Sequence, residues 1–273
     1  MALLFNPLRI GSLTSSNRLV LSPMCQYTAV NGFATDYHLI HYGQYALAKV
    51  GVIIQEATAI SPEGRITYGD LGTWTDEHIA NYQKITAFIK EQGSIPGIQL
   101  AHAGRKASCE KPWITREQLY PDHSNGWQTI SSSTLPFRQE DHAPIAATKT
   151  DISQIINDFK LAAIRSIQAG YQVLEIHAAH GYLIHQFLSP LINQRTDDYG
   201  GSFTNRIRLL LEIVDAIRSV LTTQSLWVRI SATDWAEGGW NLEESIALSK
   251  LLEQKGIEVI DGSTGGGVLH QHI

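Results

Sequence analysis

The sequence predicts an α/β fold, a TIM (β/α)8-type barrel truncated after its sixth strand. Three observations carry this. Strand-length apolar runs alternate with amphipathic helical stretches along the chain. The strands are apolar at most positions, as parallel strands covered on both faces are. The segment after the first strand is Ser22-Pro23-Met24-Cys25-Gln26-Tyr27. A doubly wound sheet would carry a Gly-x-Gly-x-x-Gly phosphate fingerprint there.

Residues 5 to 16 contain Pro7, Gly11 and Ser12, which predict a short hairpin able to plug one barrel end. Leu19 to Met24 reads as strand one and Tyr37 to Lys49 as the helix after it, closed by Gly51. Gly51 to Ala57 is strand two, Asp76 to Gln92 a helix stopped by Gly93, and Ile95 to Ala101 strand three. From His102 to Thr150 no period holds, and an excursion that long is expected to be a functional lid or to contain short hairpins.

A helix from Asp151, capped by that residue with Gln154 reaching back, runs to Gly170 and buries Ile152, Ile155, Ile156, Phe159 and Ala163. Val173 to His177 is strand four. After Gly200-Gly201-Ser202 comes a helix with Ile207, Leu210, Leu211, Val214 and Ile217 on one face, then strand five at Leu226 to Ser231. Asn241 and Glu244 form a capping box, Gly256 ends that helix, and Ile257 to Ser263 is strand six.

The 273 residues suit one domain spanning 1–273, with 43% apolar and 17% charged residues. A net charge of −5 argues against nucleic acid as a partner. Cys25 and Cys109 make no disulfide framework, and the start, interrupted by Pro7, lacks a basic leader. No apolar run has membrane-spanning length. A cytoplasmic protein is expected.

The densest chemistry lies at Glu175-Ile176-His177-Ala178-Ala179-His180-Gly181-Tyr182. Strand parity puts Val173, Glu175 and His177 on one face, and His180 and Tyr182 follow in the turn. The histidines are read as core or loop residues, as metal ligands, or as groups facing a ligand. Metal is disfavoured because one is on a strand and the other in a turn, without the helical spacing that presents two ligands together.

In a barrel, function gathers at the C-terminal strand ends. Ser22, Cys25 and Tyr27 fall at the first, Glu56 and Thr58 at the second, Gln99 and His102 at the third, and Arg229 and Ser231 at the fifth. Gln99 and Arg229 lie opposite Ile98, Leu100, Val228 and Ile230, so both face inward if those apolar residues face the helices. A buried Arg229 needs an acceptor, which Glu56 or Glu175 could supply in a structural ion pair. A ligand with carbonyl and ring-nitrogen acceptors, such as the pyrimidine end of a flavin, would engage Arg229 and Gln99 together.

The runs Ser22 to Tyr27, Glu56 to Ala59, Gln99 to Lys106, Glu175 to Leu183, Ser189 to Asp197, Tyr199 to Ser202 and Val228 to Ser231 resemble the Old Yellow Enzyme family. The bacterial branch of NADPH dehydrogenases and xenobiotic reductases, which carries a cysteine at the position of Cys25, is the nearer likeness. The resemblance implies an FMN-dependent ene-reductase using NADPH or NADH on the activated C=C of small enones or nitro compounds. By position, Ser22, Pro23, Met24 and Cys25 would line the flavin, with Ala57 at its polar edge. Gln99 would meet its pyrimidine ring and Arg229 its N1 and C2 carbonyl region. Cys25 would tune the potential, His177 and His180 would hold the substrate oxygen, Tyr182 would protonate the α-carbon, and Tyr27 would help close the pocket.

The resemblance also implies loops after strands seven and eight that hold the FMN phosphate, and a segment able to reach a neighbouring subunit in a homo-oligomer. With six strands counted, the expectations are unpaired edges at strands one and six and impaired FMN retention. The alternative is a non-catalytic remnant acting as a binding module. Gly265, Gly266 and Gly267 are expected to be a flexible tail rather than a substitute phosphate loop.

Overall fold

The computed structural model describes residues 3–272, so the outermost residues of the predicted 1–273 domain lie outside the described region. The hairpin is present: β1 (Leu8–Ile10) pairs antiparallel with β2 (Leu13–Ser15). The barrel strands are β3 (Val20–Leu21), β4 (Val52–Ala59), β6 (Ile95–Ala101), β9 (Val173–Ala178), β10 (Ser225–Ser231) and β11 (Val259–Ser263). They form one parallel sheet in the order β11-β10-β9-β6-β4-β3, and short β5 (Leu71–Gly72) joins the end of β4. Its outer strands are β3 and β11, the first and sixth of the sequence count.

Two apolar clusters follow from strand parity. Ile53, Ile98, Leu100, Leu174, Ile176, Leu226, Val228 and Ile230 pack outward against the helices. Val52, Ile54, Ile95, Val173 and Trp227 face inward, where Ile10, Leu8 and Leu13 of the hairpin close over them. The predicted plug is therefore packed into the N-terminal end of the barrel.

The helices are α1 (Asp36–Leu47), α2 (Ile79–Glu91), α3 (Lys149–Gln168), α4 (Leu183–Leu188), α5 (Phe203–Arg206), α6 (Arg208–Arg218) and α7 (Leu242–Gln254). Helix α3 begins earlier than expected because Thr148 is the cap. Its side chain accepts from Asp151 N, and Asp151 reaches back to Thr148 N at 2.8 Å. At α7 only half of the expected box forms: Asn241 accepts from Glu244 N at 2.9 Å, while the Glu244 carboxylate pairs with Arg206.

Strand one is shorter than predicted, since Pro23 has no N–H to give a ladder. Strand two is longer and carries a bulge between Gln55 and Ala57. The extra residue is Glu56. In the excursion, β7 (Ile130–Ser131) and β8 (Ile145–Ala146) pair in parallel, and a single antiparallel bridge joins Cys109 to Gln118.

Candidate functional site

Sheet register stacks the inward polar residues in tiers at the C-terminal ends of the strands. Ala57, Gln99, Glu175 and Trp227 are successive register partners. One tier higher come His177, Arg229 and Asp261, and above them Ser231 and Ser263. Gln99, Arg229 and His177 thus share one cleft, as their parity requires.

In the lower tier Gln99 Nε2 donates to Glu175 Oε1 at 2.7 Å, with both residues buried. Burial, then the charge of Asp261, pushes the Glu175 carboxyl up to about 8, against the pull of Gln99 and Arg229. Glu175 is therefore largely neutral near pH 7, and the countercharge of Arg229 is Asp261, with Nε and Oδ2 3.2 Å apart. This corrects the expected acceptor, Glu56 or Glu175. The bulge turns Glu56 outward to α1, where Tyr42 donates to it at 3.0 Å. Asp261 was missed because it comes from strand six, where it is the register partner of Arg229.

The bulge also brings Ala57, rather than Glu56, to the inner row beside Gln99. Glu56 holds the first loop from behind, its Oε2 accepting from Gln26 N at 2.7 Å. On that loop Ser22 and Met24 are exposed and Pro23 half-buried. The Cys25 thiol contacts the Ala57 backbone and the Tyr27 side chain; burial, then Asp70 and Glu56, holds its pKa well above the usual range. A protonated thiol is a poor nucleophile. His102 turns away from the cleft: its Nδ1 accepts from Gly104 N at 3.0 Å and its ring lies against the Gly64 turn.

At the mouth, the His177 and His180 rings meet edge-on with centroids 5.1 Å apart, and Tyr182 stands 5.0 Å from His177. Burial, followed by neighbouring positive groups including Arg229 and Lys106, depresses both imidazoles, His180 to about 4. Both are neutral near pH 7. The Tyr182 phenol is held protonated, mainly by burial. Lys106 Nζ sits 5.2 Å over the Tyr182 ring and donates to the carbonyls of His180 and Gly266. Tyr182 and Tyr27 line a cavity of about 430 Å³ together with Lys106, Phe137 and Arg138. The excursion therefore roofs the site.

The three glycines near the C-terminus form a packed turn and not the expected flexible tail. Gly265 and Gly267 are buried, and Gly266, at φ +86°, lies so close that a Cβ would come 2.8 Å from the His180 backbone. Behind this turn His185 stands 2.8 Å from Asp234, and its Nδ1 accepts from Gly181 N at 2.8 Å. His185, Asp234, Lys106 and Ser263 all support the histidine turn. Sequence reading passed over Asp234, Lys106 and Ser263 because each acts across the fold, and over His185 because its role depends on Asp234.

The donor set suits the polar edge of a flavin. The Arg229 guanidinium meets Asp261 through Nε at 3.2 Å, which leaves its terminal nitrogens for an acceptor-rich ring edge. Among the described residues no group of three or more His, Cys, Asp or Glu is arranged for a metal, and no helix is long and apolar enough to cross a membrane.

A parallel barrel with such a cleft defines a flavin-linked oxidoreductase. The NADH:flavin oxidoreductase / NADH oxidase family matches residues 3–272. An NADH:flavin oxidoreductase of Gibberella zeae is 46% identical over 276 residues, covering 96% of this chain and 67% of that protein. An NADPH dehydrogenase of Bacillus cytotoxicus is 45% identical over 272 residues, 99% of this chain and 73% of its own. The Old Yellow Enzyme from Pichia sp. AKU4542 superposes with a TM-score of 0.82 at 28% identity, covering 95% of this chain and 70% of that one. The chain belongs to the NADH:flavin oxidoreductase / NADH oxidase family. It is an FMN-linked oxidoreductase of the Old Yellow Enzyme type, with a nicotinamide as reductant.

Proposed function

We propose that this protein reduces the activated C=C of small α,β-unsaturated carbonyl or nitro compounds, within a single barrel domain spanning 1–273. The supporting observation is the neutral imidazole pair His177 and His180 with protonated Tyr182 beside it, His177 sharing its tier with Arg229. FMN, when bound, would supply the chemistry of taking a hydride from NADPH or NADH and passing it to a carbon acceptor.

Gln99 and Arg229 would hold the pyrimidine end, where a fixed cation favours negative charge. Ala57 would border that edge, and Ser22, Pro23, Met24 and Cys25 would line the ring, the Cys25 thiol adjusting its potential. His177 and His180 would donate to the substrate oxygen and draw electron density from the alkene. Tyr182 would give a proton to the α-carbon, and Tyr27 would border the substrate. Lys106, over the Tyr182 ring, would ease the negative charge left on the phenol oxygen.

Anaerobic spectroscopy tests this reading. With FMN supplied, NADPH should bleach the visible flavin absorbance, and 2-cyclohexenone should restore it with formation of cyclohexanone. Bleaching without recovery by any enone or nitroalkene would leave a nicotinamide oxidase with another acceptor. No bound flavin would favour a binding remnant.

A further inference from the structure

The hydrogen-bond chain through the histidine pair shows a further role. His177 Nδ1 accepts from Ala179 N at 3.3 Å, which places the ring proton on Nε2. That Nε2 lies 3.4 Å from His180 Nδ1, and on the far side of the second ring His180 Nε2 lies 2.5 Å from Ser263 Oγ. Two N–H groups cannot face each other across the first gap. With nothing between the rings, His180 must accept at Nδ1 and carry its proton on Nε2, donating to Ser263.

An oxygen anion held between the rings reverses this. It accepts from both, which requires the His180 proton on Nδ1 and leaves Nε2 as an acceptor. A hydroxyl can serve either state, because rotation of its O–H changes it from acceptor to donor. The neighbouring Ser231 lacks that freedom: it accepts from His180 N at 2.9 Å and donates to Gly265 O at 2.9 Å. We infer that Ser263 is a positioning residue that lets His180 exchange tautomers, turning the imidazole pair from a donor–acceptor couple into a two-donor clamp for an anionic oxygen. One proton leaves Nε2 and one arrives at Nδ1 through solvent, so the ring stays neutral. The inference rests on the proposed role of the pair.

The test is ¹⁵N NMR of the His180 ring in the FMN-supplied protein, with and without 4-hydroxybenzaldehyde, whose phenolate oxygen accepts only. The free protein should show Nε2–H and the complex Nδ1–H. Ser263→Ala should fail to complete that change and bind the phenolate about tenfold more weakly. Ser263→Thr, which keeps the hydroxyl, should remain within about twofold of the parent. An Nδ1–H tautomer in the free protein, a bound tautomer unchanged from the free one, or a Ser263→Ala variant equal to the parent in both readouts would overturn the switch. Failure of the parent protein to bind the phenolate would instead remove the role of the pair, and the switch with it.

Discussion

Among the described residues no carboxylate or imidazole is hydrogen-bonded to the Tyr182 hydroxyl, and burial keeps its proton in place. A phenol so placed acts as an acid only toward a substrate. Tyr182→Phe should slow reoxidation by an enone about 10²–10⁴-fold while flavin bleaching by NADPH stays within about twofold. Stopped-flow absorbance separates the halves, and equal losses in both would remove Tyr182 as the donor. Glu56 makes a different test. Burial raises its carboxyl from 4.5 to about 8, so the folded state holds the proton more tightly than the unfolded one. Stability from this group is present below the unfolded value and is lost as pH climbs to about 8. The histidines His38, His102 and His180, lowered from 6.5 to about 4, act in the opposite sense but only below pH 6.5. Between pH 6.5 and 8, Glu56→Gln should therefore gain on the parent by at most about 2 kcal/mol, read as a growing difference in Tm. A difference that does not change with pH would show Glu56 ionised throughout.

At the scale of elements, the hairpin joins sequence to site. Ile10 is buried against Val52, Ile54, Val173 and Trp227, one layer beneath Gln99 and Glu175. Ile10→Ala should cost about 2–4 kcal/mol in urea denaturation and loosen the tier above it. A loss under about 1 kcal/mol would mean that the plug is dispensable. Apolar runs revealed β6 to the residue, and the polar Gln99 and Arg229, each set between two apolar residues, revealed the inward faces of β6 and β10. Neither signal could reveal the bulge at Glu56. One added residue leaves composition and spacing unchanged while moving every later side chain to the other face. The same blindness hid Asp261 and Ser263: their importance comes from register with Arg229 and Ser231, a contact between strands that no local pattern records. The cap at Thr148 was missed because Asp151 satisfies a capping pattern from either side of the box.

For the whole molecule, the consequence of stacking a site on parallel strands is that ligand affinity divides by tier. Gln99 and Ala57 meet a ring edge from the lower tier, Arg229 shares the next tier with His177, and His180 follows in the turn beyond. The mouth is crossed by the packed turn at Gly265, Gly266 and Gly267, whose backbone is committed to Arg105, Lys106 and Ser231. The N–H donors of Gly265 and Gly266 are also taken, by Thr233 O and Gln271 Oε1, so the turn offers little to a phosphate. The donors identified on this chain therefore recognise the ring more than the ribityl phosphate. Riboflavin and FMN should accordingly bind the 273-residue protein within about threefold of each other, and Arg229→Gln should weaken both by about tenfold or more. Flavin fluorescence quenching measures all four constants. A preference for FMN above about tenfold would place a strong phosphate contact within this chain. Unchanged affinity in Arg229→Gln would mean that the guanidinium meets something other than the flavin.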